Sequence, residues 1–189
     1  ASDLDAVNIT LSEEEKMRLI GRIDRIDTCE RRDKLYVKVI DYKSGSTSFQ
    51  LLALYHGLQL QLVIYLNAAM ELMKKEHPDK EVLPAGVLYY QIQDPVLDTD
   101  GEEADVTARV LEKLKPNGLI NGDPEIIKRL DQSMPGRSQV LPIAYNKDGS
   151  LRAGSPVASG EQFAALSRYV NRKIRKIGSE VLDGRMDVK

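Results

Sequence analysis

Two runs of strand-forming residues, separated by a short charged turn, constrain the fold of this chain more than any other feature of its sequence. Residues 18–27 and 34–42 are rich in Ile, Val and Tyr, and the charged residues 30–33 lie between them. Such runs joined by a polar loop are typical of an antiparallel β-hairpin. We therefore expect the two segments to be neighbouring strands of one sheet.

The second predicted strand carries charge where an apolar face should continue. Because side chains alternate along a strand, one face is expected to hold three apolar residues, then a carboxylate and an ammonium group: Leu35, Val37, Val39, Asp41 and Lys43. Burying either charge is costly unless it is paired or binds a metal ion. Asp24 ends the neighbouring strand, so pairing across the turn would bring it close to Asp41.

Two carboxylates and a lysine on adjacent strand ends suit the hydrolysis of phosphodiester bonds. Carboxylate oxygens are ligands that Mg²⁺ prefers, and the ion keeps several of its waters. A bound metal ion activates water and polarises a phosphoryl oxygen, and a nearby lysine orients that water or neutralises the developing charge. The plainer alternative is that Asp24 and Asp41 are surface residues paired with Arg22, Arg25 or Lys43.

The residues around these groups resemble a known family. An Asp, followed after an apolar strand by Asp41, Tyr42 and Lys43, resembles the motif of the PD-(D/E)XK nuclease superfamily. The longer strings Gly-Arg-Ile-Asp-Arg-Ile-Asp (21–27) and Val-Ile-Asp-Tyr-Lys-Ser-Gly (39–45) are similar to the nuclease domain of the B-type (AddB/RexB) component of bacterial ATP-dependent helicase–nucleases. The resemblance implies an α/β, restriction-endonuclease-like fold with a central mixed β-sheet flanked by helices.

An apolar helix predicted over residues 51–75 adds a second motif. Gln61 and Tyr65 are four residues apart and therefore share one helical face. The plain interpretation is a hydrogen-bonded core glutamine beside a half-buried tyrosine. The spacing also resembles the accessory motif of RecB-type nucleases, which implies that the two residues orient the DNA or the catalytic carboxylates.

The resemblance implies a role for each residue of the motif. Asp24 and Asp41 would bind Mg²⁺, or Mn²⁺ in its place, with the Tyr42 carbonyl as a further ligand, and Lys43 would position the attacking water. Family members also have four cysteines for a [4Fe–4S] cluster and a metal ligand on an upstream helix. Cys29 matches none of the four, so both features would need residues outside this sequence. The chain alone is therefore expected to cut DNA poorly.

The implied activity is exonucleolytic cleavage of one DNA strand. In the family it occurs in a heterodimer with the A-type helicase–nuclease component, which resects double-strand breaks for recombinational repair. One alternative is a catalytically silent DNA-binding or scaffold module on the same fold, although decay of that kind should remove one of the three motif residues. Another is a stand-alone, CRISPR-associated Cas4-like exonuclease, which needs four cysteines where this chain has one.

Composition narrows the class of protein further. With 189 residues, 42% hydrophobic and 30% charged, the chain suits one α/β domain with a real core. Its net charge of −2 gives no overall basic signature for nucleic acid, so DNA contacts would lie on a local patch. No long apolar run or signal peptide is present, and a cytoplasmic protein is expected. We predict a flexible lead-in (1–16) and a nuclease core (17–189) with an insertion at about 98–158.

Overall fold

A five-stranded sheet lies at the centre of the part of the chain that the structure describes. The computed structural model describes residues 2–10, 13, 15–92, 106, 109–110, 113–132, 138 and 140–184, and of residues 2–10 only the backbone. The strands are β1 (Ser2–Thr10), β2 (Lys16–Ile23), β3 (Arg25–Arg31), β4 (Lys34–Lys43), β5 (Glu81–Gln91), β6 (Asn117–Asn121) and β7 (Val157–Ala158). The helices are α1 (Leu51–Tyr55), α2 (Gln61–Glu76), α3 (Pro124–Leu130) and α4 (Gly160–Leu182).

The central sheet is mixed and has the strand order β3-β4-β5-β6-β7. Strand β4 pairs antiparallel with β3 and parallel with β5, and β6 pairs antiparallel with β5 and parallel with β7. A parallel pair needs a crossover connection, which α1 and α2 provide between β4 and β5. The mixed sheet with flanking helices confirms the predicted fold class. Strands β1 and β2 form a separate two-stranded sheet.

Strand β4 is central because both of its faces are apolar. The face that carries Val37 and Val39 packs against α2 through Leu62 and Leu66. The opposite face belongs to a second cluster, which combines residues of the sheet, of α3 and of the segment that follows it: Ile40, Leu88, Ile120, Ile127, Leu141 and Ile143. The sheet is thus enclosed between α2 on one side and α3 with its following segment on the other.

Helix α4 lies beside α2 on the same side of the sheet, where Phe163 in its first turn joins the cluster of sheet and α2 residues. It begins at a capping box of Ser159 and Gln162, in which each side chain bonds to the backbone amide of the other residue. Val170 and Ile174 on its apolar face pack with Val63 of α2. The cap and the apolar stripe together hold α4 against α2, so the two helices cover this face of the sheet side by side.

Two elements predicted as continuous are interrupted in the structure. The strand predicted over 18–27 breaks at Asp24 into β2, which pairs with β1, and β3, which pairs with β4. The helix predicted over 51–75 breaks between α1 and α2. Gly57 lies in this break with a φ of +87°, a backbone conformation that glycine adopts at little cost and that ends a helix.

The segments predicted as a lead-in and as an insertion both contain strands. Within residues 1–16, Ser2–Thr10 form β1. Within residues 98–158, β6 and β7 are strands of the central sheet, because their apolar residues complete the cluster on its second face. Residues 98–105 of that segment lie outside the described residues, and the division at residue 17 stays a prediction. No described helix combines the length and apolarity needed to span a lipid bilayer.

Candidate active site

Asp41 is a buried carboxylate at the end of the central strand, β4. It is 4% exposed and lies on the face of the sheet that α2 covers. The ammonium group of Lys43 lies 2.6 Å from its Oδ2. The contact is ionic without hydrogen-bond geometry, so within the described residues Oδ2 has no hydrogen-bond partner. A buried oxygen in this state retains a lone pair for another cation or a water molecule.

Asp24 lies at the break between β2 and β3, beside Asp41. Its Oδ2 accepts a hydrogen bond of 2.9 Å from the backbone N–H of Tyr42, the residue after Asp41. The last residues paired between β3 and β4 are Arg25 and Ile40, so one further step along this antiparallel ladder places Asp24 opposite Asp41. Side chains opposite one another in such a pair have Cβ atoms about 4.5–5.5 Å apart. The hydrogen bond to Tyr42 holds the Asp24 carboxylate beside the end of β4, next to Asp41. That the two carboxylates share one ligand stays a prediction.

A chain of hydrogen bonds links Lys43 to the start of α2. The Lys43 Nζ donates to Oε1 of Gln61 at 3.0 Å, and Nε2 of Gln61 donates to the Tyr65 hydroxyl at 2.9 Å. Gln61 is the first residue of α2 and is exposed, not buried as its apolar surroundings in the sequence suggested. Its hydrogen bonds nevertheless connect the two predicted motifs, because Gln61 holds the lysine of one and the tyrosine of the other.

Two contacts that the sequence did not reveal fix Lys43 and Tyr65, the two ends of this row of hydrogen bonds. The Lys43 ammonium lies over the ring of Tyr89, 5.4 Å from its centroid. Burial and, secondarily, the negative charge of Asp41 raise the pKa of Tyr89. At the other end, a Cβ at Gly21 would lie 3.1 Å from Cε1 of Tyr65, so the ring packs directly on the backbone of β2. The contact between Lys43 and Tyr89 follows from the pairing of Asp41 with Tyr89 across β4 and β5. That pairing can be found only when the register of the two strands is known.

The loop after β4 is held in place by amide side chains on both of its sides. Asn117 of β6 accepts a hydrogen bond from the Phe49 N–H at 2.7 Å and donates to the Thr47 carbonyl at 2.8 Å. Gln59 accepts from the Gln50 N–H and donates to the Ser48 carbonyl, both at 2.8 Å. These bonds fix the path of the chain from Lys43 to Gln61 and hence the position at which α2 begins.

The donors at this edge fit a hard divalent cation. Asp24 and Asp41 supply carboxylate oxygens, and the unbonded Oδ2 of Asp41 is oriented for a cationic partner. In the described part of the chain no three His, Cys, Asp or Glu residues cluster, so the protein ligands would be these two carboxylates and the Tyr42 carbonyl. Cys29 packs beside Tyr36 in a different cluster, so an iron–sulfur cluster would still need cysteines outside this chain.

The family model of the PD-(D/E)XK nuclease superfamily matches residues 2–187. The chain belongs to this superfamily. The interrupted strand pair carries Asp24 and Asp41, with Lys43 two residues on, which is the arrangement that the predicted motif requires. Which residues carry out the chemistry in this member of the superfamily stays a prediction.

Curated relatives narrow the resemblance to one kind of protein, the B-type component of the ATP-dependent helicase/deoxyribonuclease. The chain is 42% identical over 179 residues to this component from Lachnoclostridium phytofermentans. It is 40% identical over 189 residues to the one from Clostridium tetani, and 38% over 184 residues to that of a Thermoanaerobacter species. These matches cover 90%, 99% and 96% of this chain. The chain spans only 15–16% of the length of these relatives. The predicted resemblance is confirmed.

Proposed function

We propose that this chain cleaves phosphodiester bonds of DNA with a divalent metal ion, Mg²⁺ or Mn²⁺, held by Asp24, Asp41 and the Tyr42 carbonyl. One observation carries the proposal: the motif lysine is tied both to the buried Asp41 and, through Gln61, to Tyr65. A bound metal ion would supply Lewis-acid activation of water and of the phosphoryl oxygen. The two carboxylates supply the negative charge and the fixed positions that such an ion requires.

Lys43 is the group that acts on the attacking water and the phosphate. Its ammonium has three donors, of which one is committed to Gln61 and another faces Asp41. The remaining donor is available to hold the water in line with the phosphorus or to stabilise charge that develops on the phosphate oxygen. Gln61 and Tyr65 act on Lys43 by fixing its direction, because a displaced ammonium group loses the geometry that catalysis needs.

The names of the relatives support a wider role for the whole protein. We infer that the domain is the exonuclease of a helicase–nuclease complex, that its partner is the A-type helicase–nuclease component, and that the complex resects double-strand breaks in the cytoplasm for recombinational repair. In such a complex, Asp41→Ala is expected to abolish cleavage of one strand and to leave ATP-driven unwinding unchanged.

A digestion assay on single-stranded DNA tests the proposed chemistry. We expect Asp24→Asn and Asp41→Asn to remove cleavage with Mg²⁺ or Mn²⁺, and to remove the heat of metal binding in isothermal titration. Asp148→Asn is the matched control, because Asp148 lies in a turn where it bonds only to Ser150 in the described structure. Undiminished cleavage by Asp41→Asn would show that the site is elsewhere. DNA binding without cleavage in the intact protein would favour a silent scaffold module.

A further inference from the structure

Two exposed tyrosines stand side by side on the sheet face opposite Asp41. Tyr42 of β4 and Tyr90 of β5 are 37% and 36% exposed, and they are paired in the register of the two strands. Their rings meet edge to face, with centroids 5.8 Å apart and planes at 79°. Two residues earlier in each strand, Ile40 and Leu88 are buried in the core beneath α3. Among the described residues, the cover of the sheet therefore ends just before this pair, which leaves both rings partly exposed to solvent.

Positive charge borders the tyrosine pair on the side of β3. The guanidinium of Arg25 is about half exposed and bonds to Asp27 at 2.7 Å, and it also contacts the Tyr42 hydroxyl. Lys38 lies 3.0 Å from the same carboxylate. Arg25 and Lys38 therefore share the Asp27 carboxylate, and the guanidinium of Arg25 is the cation that borders the Tyr42 ring.

A cavity lies along β6, on the side of β5 away from Tyr42. The ladder of β5 and β6 ends with Tyr89 opposite Asn117, so the next step places Tyr90 beside Pro116. Pro116 lines a cavity of about 360 Å³ whose walls also include Lys115 and Arg152. The two exposed rings and the half-exposed guanidinium of Arg25 complement a single-stranded polyanion that has flat bases.

The position of the pair relates it to the proposed cleavage site. Tyr42 lies between Asp41 and Lys43 in β4, and its N–H holds the carboxylate of Asp24. Because side chains alternate along the strand, its ring is on the far face while its two neighbours are on the near face. A flexible strand that crosses the end of β4 therefore reaches both the carboxylates and the ring.

We propose that Tyr42 and Tyr90 form a stacking platform for an unpaired base of the DNA strand that enters the cleavage site. The proposal rests on the proposed nuclease function and assigns two side chains outside the cleavage site to the binding of the strand. In a duplex the bases are already stacked on their neighbours, so their faces are not available to a protein ring. Stacking of one base on an aromatic side chain changes affinity by about 5- to 100-fold when the ring is removed.

Fluorescence tests the platform independently of cleavage. The chain has no tryptophan, so Tyr90→Trp introduces a single indole at the platform. We expect its emission to be quenched by a short oligothymidylate in the presence of a chelator. The same oligonucleotide annealed to its complement should quench it much less. Tyr55→Trp is the matched control, because Tyr55 is exposed in α1, on the other side of the sheet, and its emission should not change.

Steady-state kinetics provide the second measurement. Tyr90→Ala should raise the KM for single-stranded DNA by about 5- to 100-fold with little change in kcat, whereas Tyr90→Phe should behave as the wild type. Thermal melting checks that each variant folds, and Tyr90→Trp remains informative if the alanine variant does not. Equal quenching by single and double strands would overturn the proposal, because it would indicate charge attraction without stacking.

The two proposals fail in different ways. Cleavage that Asp41→Asn abolishes, together with an indole that no DNA quenches, would leave the nuclease assignment standing and overturn the platform. The tyrosine pair would then be a surface for contact with another protein. Quenching by single strands, together with no cleavage by the intact protein, would support the platform and overturn the proposed function.

Discussion

The ion pair between Asp41 and Lys43 should contribute measurably to folding when no metal is bound. Its Nζ and Oδ2 atoms are 2.6 Å apart, and Asp41 is buried. At an effective dielectric constant of about 20, a Coulomb attraction at that separation is roughly 6 kcal/mol. The cost of removing both charges from water offsets much of this energy, and the Lys43 side chain is still 28% exposed. Removing Lys43 alone leaves the carboxylate buried without a cation.

We therefore expect Lys43→Met to lower the free energy of unfolding by about 3 kcal/mol, the lower end of the range for breaking a buried pair. The same change in an Asp41→Asn background should cost no more than about 1 kcal/mol. Lys43→Met also removes the hydrogen bond to Gln61 and the contact with Tyr89. Those losses occur in both backgrounds, so the double-mutant cycle subtracts them and leaves a coupling of about 2 kcal/mol between the two charges.

Urea unfolding followed by circular dichroism, at neutral pH and with a chelator, measures the four free energies of the cycle. Lys34→Met is the control, because Lys34 and Glu81 form a solvent-exposed pair at 3.7 Å on the same strand pair. Its loss should cost less than about 1 kcal/mol. A coupling of less than about 0.5 kcal/mol between Asp41 and Lys43 would refute the argument that the lysine compensates the buried charge.

Three further outcomes follow from the structure. Lys43→Arg should lower kcat in the digestion assay by at least about 100-fold, because a planar guanidinium does not point its N–H donors in the same directions as an ammonium group. Near-normal rates would show that Lys43 supplies only positive charge. Burial raises the pKa of Asp27, but hydrogen bonds from two cationic neighbours outweigh it and lower that pKa below 3.8. Asp27→Asn should therefore be less stable than wild type near neutral pH, with the difference vanishing in urea titrations as the pH falls below that value. Gly118→Ala should lower the free energy of unfolding by more than about 3 kcal/mol in urea titrations. The new Cβ would lie 2.0 Å from the Val87 carbonyl oxygen, and Gly118 has a φ of +153°. A near-normal urea midpoint would show that β5 and β6 can separate to make room for the methyl group.

Short-range periodicity accounts for the parts of the site that could be predicted. The period of two residues in β4 places Asp41 and Lys43 on one face, and the period of a helix places Gln61 and Tyr65 together. Both relations are local, so they hold whatever partner the element has. The hydrogen bond that joins the two motifs, from Lys43 to Gln61, is consistent with both predictions but is not implied by either of them.

The remaining features depend on register between distant segments. Tyr89 reaches Lys43 only because β4 and β5 pair in parallel with Asp41 opposite Tyr89, a relation that no local pattern specifies. The break at Asp24 has no glycine or proline to mark it, and it arises because β2 pairs with β1 and β3 with β4. Gly57 breaks the predicted helix although a glycine within a helix costs only about 1 kcal/mol, so the pattern around it is still typical of a helix.

The contact between Gly21 and Tyr65 makes activity vulnerable to inherited change at a residue that takes no part in the chemistry. A methyl group at position 21 would meet the ring at 3.1 Å, so the ring would have to shift by a few tenths of an ångström. That shift would pass through Gln61 to the ammonium of Lys43. A lineage could therefore lose nuclease activity while Asp, Asp and Lys all persist in its genes. The residue at position 21 therefore belongs beside the three motif residues when we predict which variants of this chain keep the proposed activity.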